Sequence, residues 1–408
     1  MGFVRNKMFR WLFLIICTIL TGYFGMQYLV QSFELVGIYG ILLTIAVGGT
    51  LFVIVKSFKG RTLAVAAILT FICMLAGYSI GNVVFLTQAE VYDLPTIVRT
   101  DGGDGHTAIL YFTHGEPPGY NPMPWILTIQ ELDHDNVPFV PWFFRPMFFN
   151  TLRNEYLEAG GSPHNMLHYT FIDNLRRAMP EAEANGTRFY LAFLDSAPHP
   201  DEVAIQAIND GASKIIILPI FITESTHTIA GREMVASVEP EQYGIEVCYT
   251  GALGDSDSLH QVFVEQANEL SVDVNKSKVG ILLVGHGQPT EWENLYPEQN
   301  LQETQYRDGI RNKLIADGFL AENVLLGWMS FQDPSIIESA QELAANNVEK
   351  ILVFSVSLSA EAIHSLVDVP TDVDAADLPP EITIEYIGQY GDHPLAIQAM
   401  IEKITPCM

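Results

Sequence analysis

The chain has 408 residues, with 21 basic against 48 acidic side chains and a formal net charge of −27. Glu34 is the only acidic residue before Phe85, so an apolar, weakly basic start gives way to a remainder with 15 basic and 47 acidic groups. A surface that acidic repels phosphate backbones, which excludes nucleic acid as a partner.

Three apolar runs open the chain, Trp11 to Val30, Val36 to Val55 and Thr62 to Phe85. Each is near the ~20 residues that cross a hydrocarbon core, and none has the polar face of a soluble helix. Three transmembrane helices are therefore predicted, forming a membrane anchor over 1–86 with the lipid bilayer as partner. Arg5, Lys7 and Arg10 flank the first run, Glu34 sits alone in the first loop, and Lys56, Lys59 and Arg61 fill the second. Basic loops stay in the cytoplasm, so the N-terminus is expected inside and everything after Phe85 outside. Cys17 and Cys73 fall within the spans; Cys248 and Cys407 form no thiolate metal motif but can pair with each other.

A linker is predicted over 87–106, where Pro95 and the run Asp101-Gly-Gly-Asp-Gly105 break regular structure. Short apolar runs then alternate with amphipathic stretches. Strands are expected at Ala108–Thr113, Arg188–Phe193, Lys214–Ile222, Ile245–Thr250, Val279–Val284, Asn323–Met329, Lys350–Val356 and Ile382–Ile387. Helical periodicity marks Asp201–Asp210, Gln302–Asp317, Ser335–Asn346 and Leu395–Lys403. Such alternation predicts two α/β units with parallel sheets and flanking helices, 107–272 and 273–408, joined near Leu270–Lys278. The first is longer by an aromatic insertion, Asn121 to Asp173, holding Trp125, Trp142, Phe143, Phe144, Phe148 and Phe149. Its composition is compatible with a lid over a flat ligand, a membrane-surface contact or plain packing.

The two units repeat the same signals in the same order. Tyr111-Phe-Thr-His-Gly-Glu-Pro and Leu283-Val-Gly-His-Gly-Gln-Pro each place a His-Gly step directly after an apolar run. Ile217-Leu-Pro-Ile-Phe-Ile-Thr-Glu-Ser-Thr-His227 is echoed by Ile351-Leu-Val-Phe-Ser-Val-Ser-Leu-Ser-Ala-Glu-Ala-Ile-His364, and Gly251-Ala-Leu-Gly-Asp-Ser by Gly388-Gln-Tyr-Gly-Asp-His. Each unit thus carries a histidine pair at the carboxyl ends of its strands, where parallel α/β sheets keep their chemistry.

On these residues the soluble part, roughly Thr107 to Ile404, resembles the class II tetrapyrrole chelatases: ferrochelatases, anaerobic cobaltochelatases and sirohydrochlorin chelatases. Gly160-Gly-Ser-Pro163, Asp195-Ser-Ala-Pro-His-Pro200, Ile217-Leu-Pro-Ile, His286-Gly-Gln-Pro, Tyr296-Pro-Glu-Gln and Val356-Ser-Leu look like ferrochelatase landmarks. His364-Ser-Leu-Val-Asp-Val-Pro370 looks like the His-x-x-x-Asp-Ile-Pro element of sirohydrochlorin chelatases. Where ferrochelatases carry a glutamate after the Val-Ser-Phe stretch, this chain has His364.

The resemblance implies insertion of a divalent ion, Fe²⁺ or Co²⁺ with Ni²⁺ or Zn²⁺ also admissible, into a porphyrin or sirohydrochlorin-type macrocycle. No organic cofactor is expected, and no oligomeric state is implied. Neutral imidazole suits the task, since it binds late first-row metals and accepts protons near neutral pH. His286 and His364 are assigned as catalytic residues and metal ligands, with Glu361 as a carboxylate contributor. Asp368, four residues after His364, can orient its imidazole. His114, His227, Glu224 and Asp195 form the equivalent second set in the first unit. The alternative function is a haem or metal receptor or carrier that keeps the fold and its histidines without turnover.

Overall fold

A computed structural model describes residues 7–89, 92–99 and 105–408. Arg5, Asp101 and most of the Asp-Gly-Gly-Asp-Gly linker lie outside the described residues. The chain divides into two compact units, one formed by 1–91 with 119–158, the other by 92–118 with 159–408.

The first unit contains α1 (Lys7–Val30), α2 (Phe33–Ser57) and α3 (Arg61–Leu86), all long and apolar enough to cross a membrane. Small residues bring α1 and α3 into backbone contact: a Cβ on Gly22 would lie 2.0 Å from Met74 O, and one on Gly77 2.0 Å from Ile19 O. Glycine is what permits helices to approach this closely. Part of the aromatic insertion belongs here, as a helix Met123–His134, a turn Trp142–Phe144 and a helix Arg145–Ala159. Its side chains donate to carbonyls that helix ends leave open. Tyr120 Oη reaches Val30 O at 3.0 Å, Arg153 reaches Tyr28 O at 2.8 Å, and Gln130 reaches Leu86 O at 2.7 Å.

The second unit holds two four-stranded sheets. β1 (His106–Thr113), β2 (Arg188–Phe193), β3 (Ala212–Pro219) and β4 (Glu246–Tyr249) run in the order β2-β1-β3-β4. β5 (Val279–Gly285), β6 (Val324–Trp328), β7 (Lys350–Phe354) and β8 (Thr383–Ile387) run in the order β6-β5-β7-β8. Every pairing is parallel. The central strands are continuous apolar runs because helices cover both faces. One core spans both halves, with Tyr111, Leu218 and Phe263 meeting Leu283, Tyr306 and Phe354; separate outer cores serve each half. A disulfide from Cys248 on β4 to Cys407 joins the first sheet to the chain end.

Local details repeat with the topology. After β2, Asp195 N donates to His114 O at 2.9 Å; after β6, Ser330 N donates to His286 O at 3.2 Å. The next helix starts alike in both halves: His199 N donates to Glu202 at 2.8 Å and Ser335 N to Glu338 at 2.9 Å, each the reach-back of a capping arrangement.

Candidate active site

All four repeated histidines stand at the carboxyl ends of strands. His114 directly follows β1 and His286 directly follows β5. The glycine after each is required by geometry. Gly115 has φ +88° and a Cβ there would meet Phe193 Cβ at 2.6 Å; Gly287 has φ +81° and a Cβ would meet Ser330 O at 2.3 Å. Only glycine combines positive φ with so close an approach. His227 lies in the first turn of the helix Thr226–Ser237 beyond β3, and His364 opens a π-helical turn, His364–Asp368, beyond β7. Turns of this wider kind are frequent at functional sites.

The histidines meet as predicted pairs. The rings of His114 and His227 are 4.8 Å apart between centroids, those of His286 and His364 5.8 Å, both edge to face. Charge on His114 acts on His227, His286 and His364, so all four share one electrostatic field.

Each pair contains one imidazole tied to a carboxylate and one that is not. His114 Nδ1 lies 2.9 Å from Asp195 Oδ2, in a cleft that leaves 48% of the histidine side chain open to solvent. Burial alone would depress this histidine, but Asp195 outweighs it and carries the pKa up to about 9. His227 is driven down to about 3 by burial and by the charge on His114. In the second half His364 Nδ1 bonds Asp368, four residues on, and that carboxylate raises it against the effect of burial. His286 is lowered by burial and by His364. Opposed shifts within a pair of neighbouring groups are how proteins separate a proton holder from a proton acceptor.

Glu224 and Glu361 occupy matched places, three residues before His227 and His364. Gly251, at φ +75°, runs beside Glu224, and a Cβ on Gly388 would lie 3.0 Å from Glu361 Cγ, so the third repeated motif borders the glutamate in each half. Glu224 accepts hydrogen bonds from Tyr249 Oη and Ala252 N, both at 2.9 Å, so its carboxylate is engaged in holding its own loop. Among the described residues, no three His, Cys, Asp or Glu side chains converge on one point suited to a metal ion. His286 and His364 therefore face each other without Glu361 completing a ready three-ligand set.

Sequence reasoning missed the supports beneath the site. Glu303, 2% exposed, accepts from His286 N at 2.6 Å and Gly287 N at 3.3 Å, and Ser357 Oγ donates to it as well. The detectable signal was a carboxylate on the buried face of the helix Glu298–Ala316, in line with Tyr306, Ile310 and Leu314. Arg307, fully buried one turn on, lies 3.6 Å over the Trp328 ring and fills the space that Gly285 leaves open. Asn300 accepts from Gln288 N at 3.2 Å; in the first half Asn165 accepts from Glu116 N at 2.7 Å. Three residues past that asparagine stands Glu303 in one half and His168 in the other. His168 is fully buried, 2.6 Å from Tyr111 Oη and 3.3 Å from Ser359 Oγ, and burial pushes its pKa well below the ordinary histidine value. Glu116 ties the halves together, accepting from Ile363 N at 3.0 Å and from Ser162 Oγ. His393 accepts from Leu395 N at the start of the last helix, a capping role.

Duplicated parallel sheets with a histidine pair at the end of each define a protein of the class II chelatase superfamily. The family model for ferrochelatase matches residues 107–408, and the chain belongs to that family. It is 38% identical over 98 residues to a sirohydrochlorin cobaltochelatase of Methanothermobacter thermautotrophicus, covering 23% of this chain and 57% of that one. A ferrochelatase of Trichodesmium erythraeum is 22% identical over 281 residues, covering 65% of this chain and 71% of the relative. Among solved structures, SirB from Bacillus subtilis with Fe³⁺ superposes with a TM-score of 0.49 at 13% identity, over 74% of this chain and 94% of that one.

Proposed function

We propose that this chain is a membrane-anchored chelatase that inserts Fe²⁺ or Co²⁺ into a tetrapyrrole, with His286 and His364 as the working pair. The observation that carries the proposal is the opposed environment of two facing imidazoles, 5.8 Å apart, in a chain of the ferrochelatase family. Insertion exchanges two pyrrole N–H protons for one divalent ion, so the site must hold the ion and take up two protons. His286, lowered by burial and His364, is neutral at working pH and has a nitrogen lone pair to offer the metal or a proton. His364, backed by Asp368, is the better proton store. Glu303 fixes the backbone of the His286-Gly287 step and so the direction of the imidazole. His114, His227 and Asp195 form a second set, Glu224 staying with its loop.

Once His364 has lost its proton, two nitrogen ligands in place of a nitrogen and a carboxylate favour late first-row ions such as Co²⁺. We infer that the domain after α3 lies outside the cytoplasm. The basic loops before α1 and between α2 and α3 support this, as does a disulfide, which persists in oxidising compartments. A reporter active only in the cytoplasm, fused after Leu86, should stay silent; activity there would reverse the orientation.

The deciding assay follows absorption spectra of the full-length protein given free-base porphyrin or sirohydrochlorin with Fe²⁺ or Co²⁺. Conversion to metallated product is the expected result. Tight binding of preformed metalloporphyrin without any conversion would instead establish the receptor or carrier reading.

A further inference from the structure

The segment from Val137 to Phe149 contains a single charged residue, Arg145. That charge is turned inward: Arg145 is buried, both its terminal nitrogens bind the Asp133 carboxylate, and its Nε donates to Val140 O at 3.0 Å. A bidentate pair of this kind is the arrangement that neutralises guanidinium most completely. Four of its apolar side chains are exposed instead. Trp142, Phe143, Phe144 and Met147 are between 37% and 52% exposed, close together in the chain, with the Phe143 and Phe144 rings in contact at 5.6 Å. In water, an aromatic surface of this size beside a hidden cation would be an inverted design.

Its place on the helical bundle supplies the reason. Tyr78 Oη donates to Phe143 O at 2.7 Å, and Asn82 Nδ2 donates to Trp142 O at 2.8 Å. The Tyr78 and Phe143 rings pack at 4.9 Å, and those of Phe85 and Phe149 meet edge to face at 4.8 Å. Tyr78 and Asn82 precede the end of α3 by two turns and one turn, so the Trp142–Phe144 turn reaches about 12 Å along the helix from its end. At that depth an irregular backbone persists only if its carbonyls find donors within the protein. Two polar side chains of α3 provide them. On α2 and α3 themselves Ile41, Ile45 and Phe71 are also exposed.

We propose that Val137–Phe149 is a lipid-embedded wedge, with Trp142, Phe143, Phe144 and Met147 inserted among the glycerol and upper acyl groups of the bilayer that surrounds α1–α3. The inference rests on the reading of α1–α3 as membrane spans and extends it to a segment interrupted by three prolines, which no hydropathy window would select.

The test uses the full-length protein in phosphatidylcholine and phosphatidylglycerol vesicles with Cys17 and Cys73 replaced by alanine, the other two cysteines being joined to each other. A nitroxide is attached at Phe144→Cys, and in a separate variant at Met147→Cys. Reference labels go at Ile41→Cys on α2 and Val272→Cys between the sheets. Collision with dissolved oxygen is compared with collision with a water-soluble nickel chelate. The wedge predicts an oxygen-to-nickel ratio at positions 144 and 147 close to that at 41 and several-fold above that at 272. A nickel-dominated signal like that at 272, or low collision with both reagents, would overturn it. Nickel access at 41 would instead remove the membrane reading, and the wedge with it.

Discussion

The two halves of the second unit differ in which histidine holds a proton, although their strand orders match. In the first, Asp195 on the loop after β2 sits against His114; in the second, Ser330 takes that position and cannot hold an imidazolium. The carboxylate there is Asp368, one turn past the other histidine of the pair. The buried support differs as well, neutral His168 in one half and Glu303 in the other. Strand order and the His-Gly turn place the imidazoles, while single side chains at fixed loop positions decide which imidazole is basic.

The sharpest way to break the comparison is to delete one histidine from each half. His286→Ala should reduce metal insertion by about 100-fold or more, the scale of a lost acid–base group, with the fold retained. His114→Ala should leave most activity. Rates measured by absorption would show the reverse if the first half were the working pole.

Metal choice offers a smaller effect. His364→Glu restores the carboxylate of the ferrochelatase pattern, so Co²⁺ insertion should fall more than Fe²⁺ insertion. Parallel rate measurements with both ions decide this, and equal losses would mean that His364 is not a ligand.

The carboxylate partners can be compared by pH. Asp368 raises His364 above its ordinary value, and ligands must be unprotonated to bind metal, so activity should climb with pH through the His364 titration. Asp368→Asn removes the raising charge and should move that climb to lower pH. Asp195→Asn should lower His114 from about 9 without moving the activity profile. Imidazole titration by NMR, beside pH–rate curves, separates the two; a shift of the rate curve by Asp195→Asn would erase the distinction between the halves.

The smallest expected effect concerns stability. His168 is held neutral, its folded pKa lying well below an unfolded value near ~6.5, so the unfolded chain binds the extra proton and stability falls as pH drops below that value. One such group contributes a slope of about 1.4 kcal/mol per pH unit. His168→Gln should flatten the acid limb of denaturation curves by that amount. An unchanged limb would show that His168 is already charged in the fold.

All eight strands were legible because each is an apolar run bounded by breakers, and the ends differ by only a few residues: Arg188–Phe193 was expected and found, while Lys214–Ile222 became Ala212–Pro219. The histidine pairs were legible through repetition, and Asp368 through its four-residue spacing. Glu303 and His168 escaped because a polar residue on a buried helix face has no pattern of its own; its partners, His286 N and Tyr111 Oη, come from distant strands. The insertion Asn121 to Asp173 was expected as one piece. It divides near Glu158, since its first part is needed by the open carbonyls of α1 and α3 and its second by the core around Phe171.

The bond between Cys248 and Cys407 encloses the whole second sheet in a covalent ring, because β5 to β8 all lie between the two cysteines. A protease that cuts the exposed stretch around Val272 would leave both histidine pairs on molecules that still migrate as one species. Only after reduction would the halves come apart on a gel. That ring converts a severing cut into a tolerated nick.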